Sequence, residues 1–329
     1  LSTYEQLVGN TPLVELKKAS ALLGCRILVK MESMNPGGTG KDRASMYMLR
    51  AALAAGLLKP GGCVYEGTSG STGISLASLC SAKGYRLKIV MPDDQSLEKR
   101  QLLERMGAEL IIVPSCAISN PQHYVNVAKT LARKEGGFFT NQFENTANFK
   151  AHLECTGPEI WKQTGGKVDA FVMSAGTGGT IAGVSKYLKS RNPAVQVILA
   201  DPNGSSLFHR VKFGVCYTPH QSEKSVKKHR YDSIVEGVGL DRLTKNFALA
   251  EVDNAMKISD QEILETAHWL LKHEGLFVGS SSALNVAVAC RQAAALGPGH
   301  TVVTMICDNG QRHMSRLWNP DYVGNYGLT

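Results

Sequence analysis

The chain has 329 residues, 43% of them hydrophobic and 19% charged, with a formal net charge of +8. That length supports one large or two smaller domains with an ample core, and the balance excludes disordered and fibrous classes. Its apolar runs are short and broken by Gly, Ser or Lys, so no membrane-spanning helix is expected. The basic residues are dispersed except at Lys224, Lys227, Lys228, His229 and Arg230. No aromatic interleaving accompanies that run, which reads as a solvated loop rather than a nucleic-acid site. The charge excess reads as a bias toward anionic small molecules.

Cysteines at 25, 63, 80, 116, 155, 216, 290 and 307 form no CxxC pair, and the nine histidines form no HExxH pair. No metal is expected. The thiols read as small buried hydrophobes in a reducing compartment, cytoplasmic or mitochondrial. No signal-peptide pattern opens the chain. It begins on Leu1 rather than Met, which fits a leader already removed.

The first informative segment couples a strand over 26–32 to a helix over 44–58 through Asn35-Pro36-Gly37-Gly38-Thr39-Gly40-Lys41-Asp42-Arg43. A lysine at a helix start sits beside the positive end of the peptide dipoles, which disfavours its own charge. An amine that loses its proton can form a Schiff base and then act as a base. A Walker phosphate loop is the rival reading, but it needs glycine at Asn35 and Ser or Thr at Asp42.

A strand over 63–66 then leads into Thr68-Ser69-Gly70-Ser71-Thr72-Gly73 and a helix over 74–81. Hydroxyls and N–H groups at that helix start suit a carboxylate, although such residues also make ordinary caps. Strands over 87–91 and 110–113 end at Pro92 and Pro114. Between them Ser96 can cap a helix with Leu102, Leu103 and Met106 on its apolar face and Gly107 at its end. A change of character near 142–148 suggests a boundary between domains over 1–145 and 146–329, with the early strands crossing into the second.

The strand over 168–173 feeds Ser174-Ala175-Gly176-Thr177-Gly178-Gly179-Thr180 and a helix over 181–189. Glycines let several N–H groups point at one anion, so this is a phosphate-site signal. A dinucleotide loop would need glycine at Ile181; Asp201, ending the next strand, stands where a ribose-binding acid would. A nicotinamide enzyme therefore stays open. Later, Ser259 and Glu262 form a capping box before Ile263, Leu264, Ala267, Leu270 and Leu271, with Gly275 as the stop. Gly279-Ser280-Ser281-Ser282 precede a helix over 283–295. A serine there either caps the helix or meets a ring nitrogen. Mostly apolar strands alternating with helices imply an α/β fold of parallel sheets covered on both faces.

Together these loops resemble the cysteine synthase and cystathionine β-synthase family of pyridoxal-phosphate enzymes, fold type II. The resemblance also runs through Val8-Gly9-Asn10-Thr11-Pro12-Leu13, Met91-Pro92 and Thr156-Gly157-Pro158-Glu159-Ile160-Trp161. It implies two α/β domains with pyridoxal 5′-phosphate between them. Lys41 would join the cofactor covalently, and Gly176, Thr177, Gly178, Gly179 and Thr180 would hold its phosphate. Ser281 would face the ring nitrogen. Thr68, Ser69, Gly70, Thr72 and Gln142 would take the substrate carboxylate, with Gly237 in the flank 236–239 where selectivity is expected. Many family members carry Asn at Ser71, where it contacts the ring hydroxyl; the shorter serine loses that contact or needs a water.

The implied reaction is β-replacement, first O-acetyl-L-serine with sulfide to give L-cysteine and acetate. Serine with homocysteine is the alternative, and desulfhydrases, serine dehydratases and other acyl- or phosphoserine users share the family. The chain ends soon after the core motifs, which favours the simpler synthase. A homodimer is implied by the family, and a serine acetyltransferase is a candidate partner. A cofactor-binding homologue without catalysis is the reading from a different class.

Overall fold

The computed structural model describes residues 3–68, 70–95, 97–217 and 233–329. The expected cap Ser96 and the basic run 224–230 lie outside the described residues. The strands are β1 (Leu13–Glu15), β2 (Arg26–Met31), β3 (Cys63–Gly67), β4 (Arg86–Pro92) and β5 (Glu109–Val113). They continue with β6 (Phe138–Phe139), β7 (Ala170–Ser174), β8 (Gln196–Asp201), β9 (Asn254–Lys257) and β10 (Thr301–Ile306). The helices of the first half are α1 (Lys17–Leu23), α2 (Lys41–Ala54), α3 (Ser71–Lys83), α4 (Leu97–Arg105), α5 (Tyr124–Glu135) and α6 (Ala147–Ala151). Those of the second half are α7 (Gly157–Thr164), α8 (Gly179–Arg191), α9 (Leu207–Phe213), α10 (Asp260–Glu274), α11 (Ser280–Leu296) and α12 (Pro320–Gly324).

Among the described residues these strands make two sheets, ordered β1-β2-β10-β7-β8-β9 and β5-β4-β3-β6. Every pairing is parallel except β1 with β2, an antiparallel edge that the expected parallel pattern did not contain. Both faces of the larger sheet are buried, as parallel strands require. Ile27, Val29, Val172, Ile198 and Val302 pack on α10 and α11, while Leu28, Phe171, Val197 and Val303 pack against α7 and α8. The smaller sheet lies between α2 and α3 on one face and α5 on the other. β2 belongs to the larger sheet and α2 covers the smaller one, so the loop from 32 to 40 passes from one sheet to the other.

Most predicted elements are present with shifted ends. α2 starts at Lys41, earlier than 44, and stops at Ala54, where Gly56 turns the chain at φ 68°. On α4 only Leu103 is buried; Leu102 is 37% exposed. At α10, Ser259 accepts the Glu262 N–H at 3.3 Å, and Gly275 ends the helix at φ 70°. The other half of the expected capping box yields to an ion pair, because Arg291 takes both oxygens of the Glu262 carboxylate. Leu271, expected on the apolar face, is 41% exposed. All eight cysteines are free; Cys25, Cys63 and Cys80 are buried as expected, but Cys216 is exposed.

A buried ion network holds the start of α2 to the larger sheet. Arg43, 1% exposed, donates from Nε and Nη2 to Glu32 at 2.8 Å and from Nη1 to Glu159 at 2.7 Å. Lys30 lies 2.6 Å from Glu159 and donates to the Thr11 carbonyl at 2.6 Å. Burial alone would raise Glu32, but the Arg43 charge and its hydrogen bonds outweigh it and bring the carboxyl down to about 2. Arg43→Ala would strand Glu32 without its partner, so we expect a loss of about 3–5 kcal/mol of stability in denaturant unfolding. Because the folded value lies below the ordinary 4.5 of a glutamate, the Glu32 contribution is complete above about pH 4.5 and drains as pH falls toward 2. Glu32→Gln should flatten that part of the stability–pH curve; an unchanged curve would remove the assignment.

Candidate active site

Lys41 is the first residue of α2, and the loop before it is clamped from two sides. The Gly37 N–H and the Ser75 hydroxyl both donate to the Asp42 carboxylate, while Arg312 donates to the Gly37 carbonyl. Gly38, at φ 72°, packs so that a Cβ would stand 2.8 Å from the Arg312 guanidinium. Just past β10, Asp308 bridges Thr39, and the Cys307 carbonyl accepts the Gly40 N–H at 3.3 Å. Burial, helped by the charge of Asp308, pushes the Cys307 thiol up to about 11; Lys41 and a hydrogen bond from Ser281 oppose the rise. The Cys307 backbone thus joins the residue before Lys41 to the residue after Ser281, since its N–H donates to the Ser282 hydroxyl at 2.8 Å. Ser281, 6% exposed, is the second residue of α11, the helix that runs back from this end of the sheet.

The loop after β3 brings the next group. Thr68 is 4% exposed and accepts the Gly70 N–H at 3.3 Å; Ser69 lies outside the described residues. Ser71 opens α3. Thr72 donates to Gln142 Oε1 at 2.6 Å, and Gln142 Nε2 donates to the Gly67 carbonyl at 3.3 Å. Beneath them the Gln142 N–H and the Thr140 hydroxyl donate to Glu66, which burial pushes up to about 7 against those bonds.

The Gln142 carbonyl accepts from Asn148 Nδ2 at 3.0 Å, and the same amide donates to the Thr177 hydroxyl at 2.8 Å. One asparagine thus ties the loop of Thr72 to the glycine loop after β7. That loop is backed so closely that side chains cannot stand behind it. A Cβ on Gly176 would meet the Gly237 carbonyl at 2.4 Å, and on Gly179 it would meet Asn148 at 2.1 Å. Gly178 has φ 86° and a would-be Cβ 2.7 Å from the Phe247 nitrogen. The first N–H groups of α8 have no intrahelical partner, so the packed loop presents an anion site at the positive end of the helix dipole. Such a site fits a phosphate.

Thr180, in the first turn of α8, lies 3.2 Å from His152 Nε2. His152 begins a π-helical turn, His152–Thr156, and its Nδ1 is 2.9 Å from the Thr156 hydroxyl. Burial is the main force bringing this histidine down to about 3. At the mouth, Lys99 of α4 pairs with Glu236 at 2.5 Å, and Glu236 lies 3.0 Å from His313. Burial would lower His313, but Asp308 and Glu236 lift it to about 9. The Glu236 N–H donates to Ser280 at 3.0 Å, which anchors the flank carrying Gly237 over α11. Of the residues singled out in the sequence, Thr72, Gln142 and Thr177 are joined through Asn148. The sequence reading missed Asn148, Thr244, His152, Glu66 and His313, which support the loops from behind and carry no spacing signal.

Asp201 is fully buried and accepts the Phe208 N–H of α9 at 2.7 Å. It serves the fold there, so the ribose-acid reading fails. Among the described residues no group of acidic, His or Cys side chains could hold a metal, and no helix is long and apolar enough to cross a membrane.

The profile of one family, described as pyridoxal-phosphate dependent enzyme, matches residues 4–308. Cysteine synthase 2 of Schizosaccharomyces pombe is 48% identical over 97% of this chain and 84% of its own length. A putative mitochondrial cysteine synthase of Saccharomyces cerevisiae is 45% identical over 95% of this chain and 83% of its own. The crystal structure of an O-acetylserine dependent cystathionine beta-synthase from Helicobacter pylori superposes with a TM-score of 0.84 at 30% identity, covering 96% of this chain and 97% of that one. These findings overturn the nicotinamide reading. With that match along most of its length, the chain belongs to the pyridoxal-phosphate dependent enzymes of fold type II.

Proposed function

We propose that this protein is a cysteine synthase that replaces the acetate of O-acetyl-L-serine with sulfide. One observation carries the reading: Gln142 and Asn148 tie Thr72 to Thr177, while the Cys307 backbone ties the residue before Lys41 to the residue after Ser281. The 48% identity to a cysteine synthase along nearly the whole chain supports it. Bound pyridoxal phosphate supplies an electron sink that makes the substrate's α-proton acidic and its β-substituent able to leave.

The chain's own groups do the rest. Gly176, Thr177, Gly178, Gly179 and Thr180 would hold the phosphate through hydroxyls and helix-start N–H groups. Thr68, Ser69, Gly70, Thr72 and Gln142 would hold the substrate carboxylate, with Gly237 closing the far side. Ser71 stands where a longer amide would reach the ring hydroxyl. Lys41 would hold the cofactor covalently, and its free amine would take the substrate's Cα proton. Acetate leaves with the bonding pair, hydrosulfide brings a pair to the β-carbon, and Lys41 returns the proton to Cα. Ser281 offers the ring nitrogen a neutral hydroxyl, which does not favour its protonation as a carboxylate would. That keeps the sink moderate and favours β-chemistry over transamination.

A second thiol has support from the similarity to an O-acetylserine dependent cystathionine beta-synthase. Homocysteine would then replace sulfide in the same site. Two α/β domains over 1–145 and 146–329, with β1 and β2 crossing into the second, would enclose the substrate. A homodimer, a serine acetyltransferase partner and a reducing compartment, cytoplasmic or mitochondrial, complete the proposal; the free cysteines and the name of the yeast relative support the last.

Steady-state rates with O-acetylserine plus sulfide should exceed those with serine plus homocysteine, and the reverse order would replace the first reading by the second. Protein loaded with pyridoxal phosphate should be yellow and retain the label after borohydride. Lys41→Ala should fold normally, lose the label and lose more than about 10²-fold in turnover; full activity would end the mechanism. Ser281→Asp should lower kcat about tenfold, roughly 1.4 kcal/mol, and unchanged kinetics would reduce Ser281 to a helix residue. Gly178→Ala should cost about 2 kcal/mol of stability through its positive φ and weaken phosphate-ester binding; a variant with normal unfolding and normal affinity would contradict the nest.

A further inference from the structure

We infer that His152 is a positioning residue for the cofactor phosphate, a neutral imidazole in its Nε2–H form that aims the Thr180 hydroxyl. The inference rests on the proposed phosphate nest. His152 and Thr156 are buried, at 1% and 0% exposure, so their polar atoms must satisfy one another. The ring has two neighbours, Thr156 Oγ1 at 2.9 Å from Nδ1 and Thr180 Oγ1 at 3.2 Å from Nε2.

Direction follows from the ends of this chain. A phosphate at the α8 start carries only acceptors, so a Thr180 hydroxyl that binds it must donate. Its oxygen is then free to accept, and the neighbour able to donate is His152 Nε2–H. A neutral ring with its proton on Nε2 has a lone pair on Nδ1, which must accept from Thr156. The relay is one-way: Thr156 to His152 to Thr180 to phosphate.

The backbone is shaped to place the ring. His152 and Thr156 bracket the π-helical turn, a departure from α geometry that recurs at functional sites. Gly183 of α8 lets that turn approach, since a Cβ there would stand 2.5 Å from the Leu153 nitrogen and 2.6 Å from the His152 Cβ. The charges that bear on the ring are Glu32 and Glu159, which favour its protonation, and Arg43 and Lys41, which oppose it. Burial joins the cations and keeps the ring uncharged.

The test compares pyridoxal 5′-phosphate with pyridoxal, which lacks the phosphate. Binding of each to apo-protein is measured in wild type, His152→Phe and His152→Gln. We expect His152→Phe to lower the preference for the phosphate ester about tenfold, as for one lost hydrogen bond of about 1.4 kcal/mol. His152→Gln, whose amide can donate from the Nε2 position, should restore most of it. In a Thr180→Val background the His152→Phe effect should vanish. Nitrogen-15 spectra of the protein loaded with pyridoxal 5′-phosphate should show His152 neutral with its proton on Nε2 at pH 7. Equal preference in wild type and His152→Phe, or an Nδ1–H ring, would overturn the relay. If wild type itself failed to bind pyridoxal phosphate, the proposed function would fall first, so the two failures are distinguishable. Thermal unfolding of the apo-variants separates a lost fold from a lost donor.

Discussion

The charge cluster of Arg43, Glu32, Glu159 and Lys30 is the constraint on which the site depends. Each member is too polar to be buried alone, and each is neutralised by the others. Arg43 lies two residues past Lys41, Glu32 follows β2, and Glu159 sits in α7. The need to keep Arg43 paired therefore pins the first turn of α2 against the larger sheet and against α7. Lys41 is held in place by its neighbour's electrostatics more than by contacts of its own.

A second set of contacts makes two cradles behave as one. Gln142 takes the Thr72 hydroxyl on its side chain and the Asn148 amide on its carbonyl, and Asn148 reaches Thr177. Asn246 also donates to the Gln142 carbonyl, and Thr244 donates to that of Thr177. A shift at Thr72 is thus transmitted by buried hydrogen bonds to Thr177. Such bonds are costly to leave unmade, so the two loops hold one relative geometry. Precision of that kind matters where reacting atoms must stay aligned through several steps.

The mouth of the site follows the same logic with charge instead of amides. Lys99 comes from a helix beside the smaller sheet, while Glu236, His313 and Asp308 come from segments around the larger one. Their alternating signs make a bridge between the layers that flank the cleft. Each partner is largely buried, which gives the pairs more weight than surface pairs carry.

The glycine turn over 174–180 and the helix start at Lys41 were legible because they are local: a strand, a glycine-rich turn and a helix follow one another in sequence. Gly178 in particular reveals itself, since its positive φ suits few other residues. By contrast, Ser259 and Glu262 matched a capping pattern, yet Arg291 claimed the carboxylate from another helix. Asp201 stood at the right spacing for a ribose, but burial turned it toward α9. Spacing reports what a residue can do with its neighbours in the chain. It is silent on partners that lie 70 or 116 residues away, such as Thr72 with Gln142 or Arg43 with Glu159. The sequence by itself determined the α/β alternation and the glycine-rich turns that open helices, because each depends on contiguous backbone. Only tertiary structure decided which buried groups support them and which way His152 faces, because burial and long-range pairing set the cost of every unsatisfied polar atom.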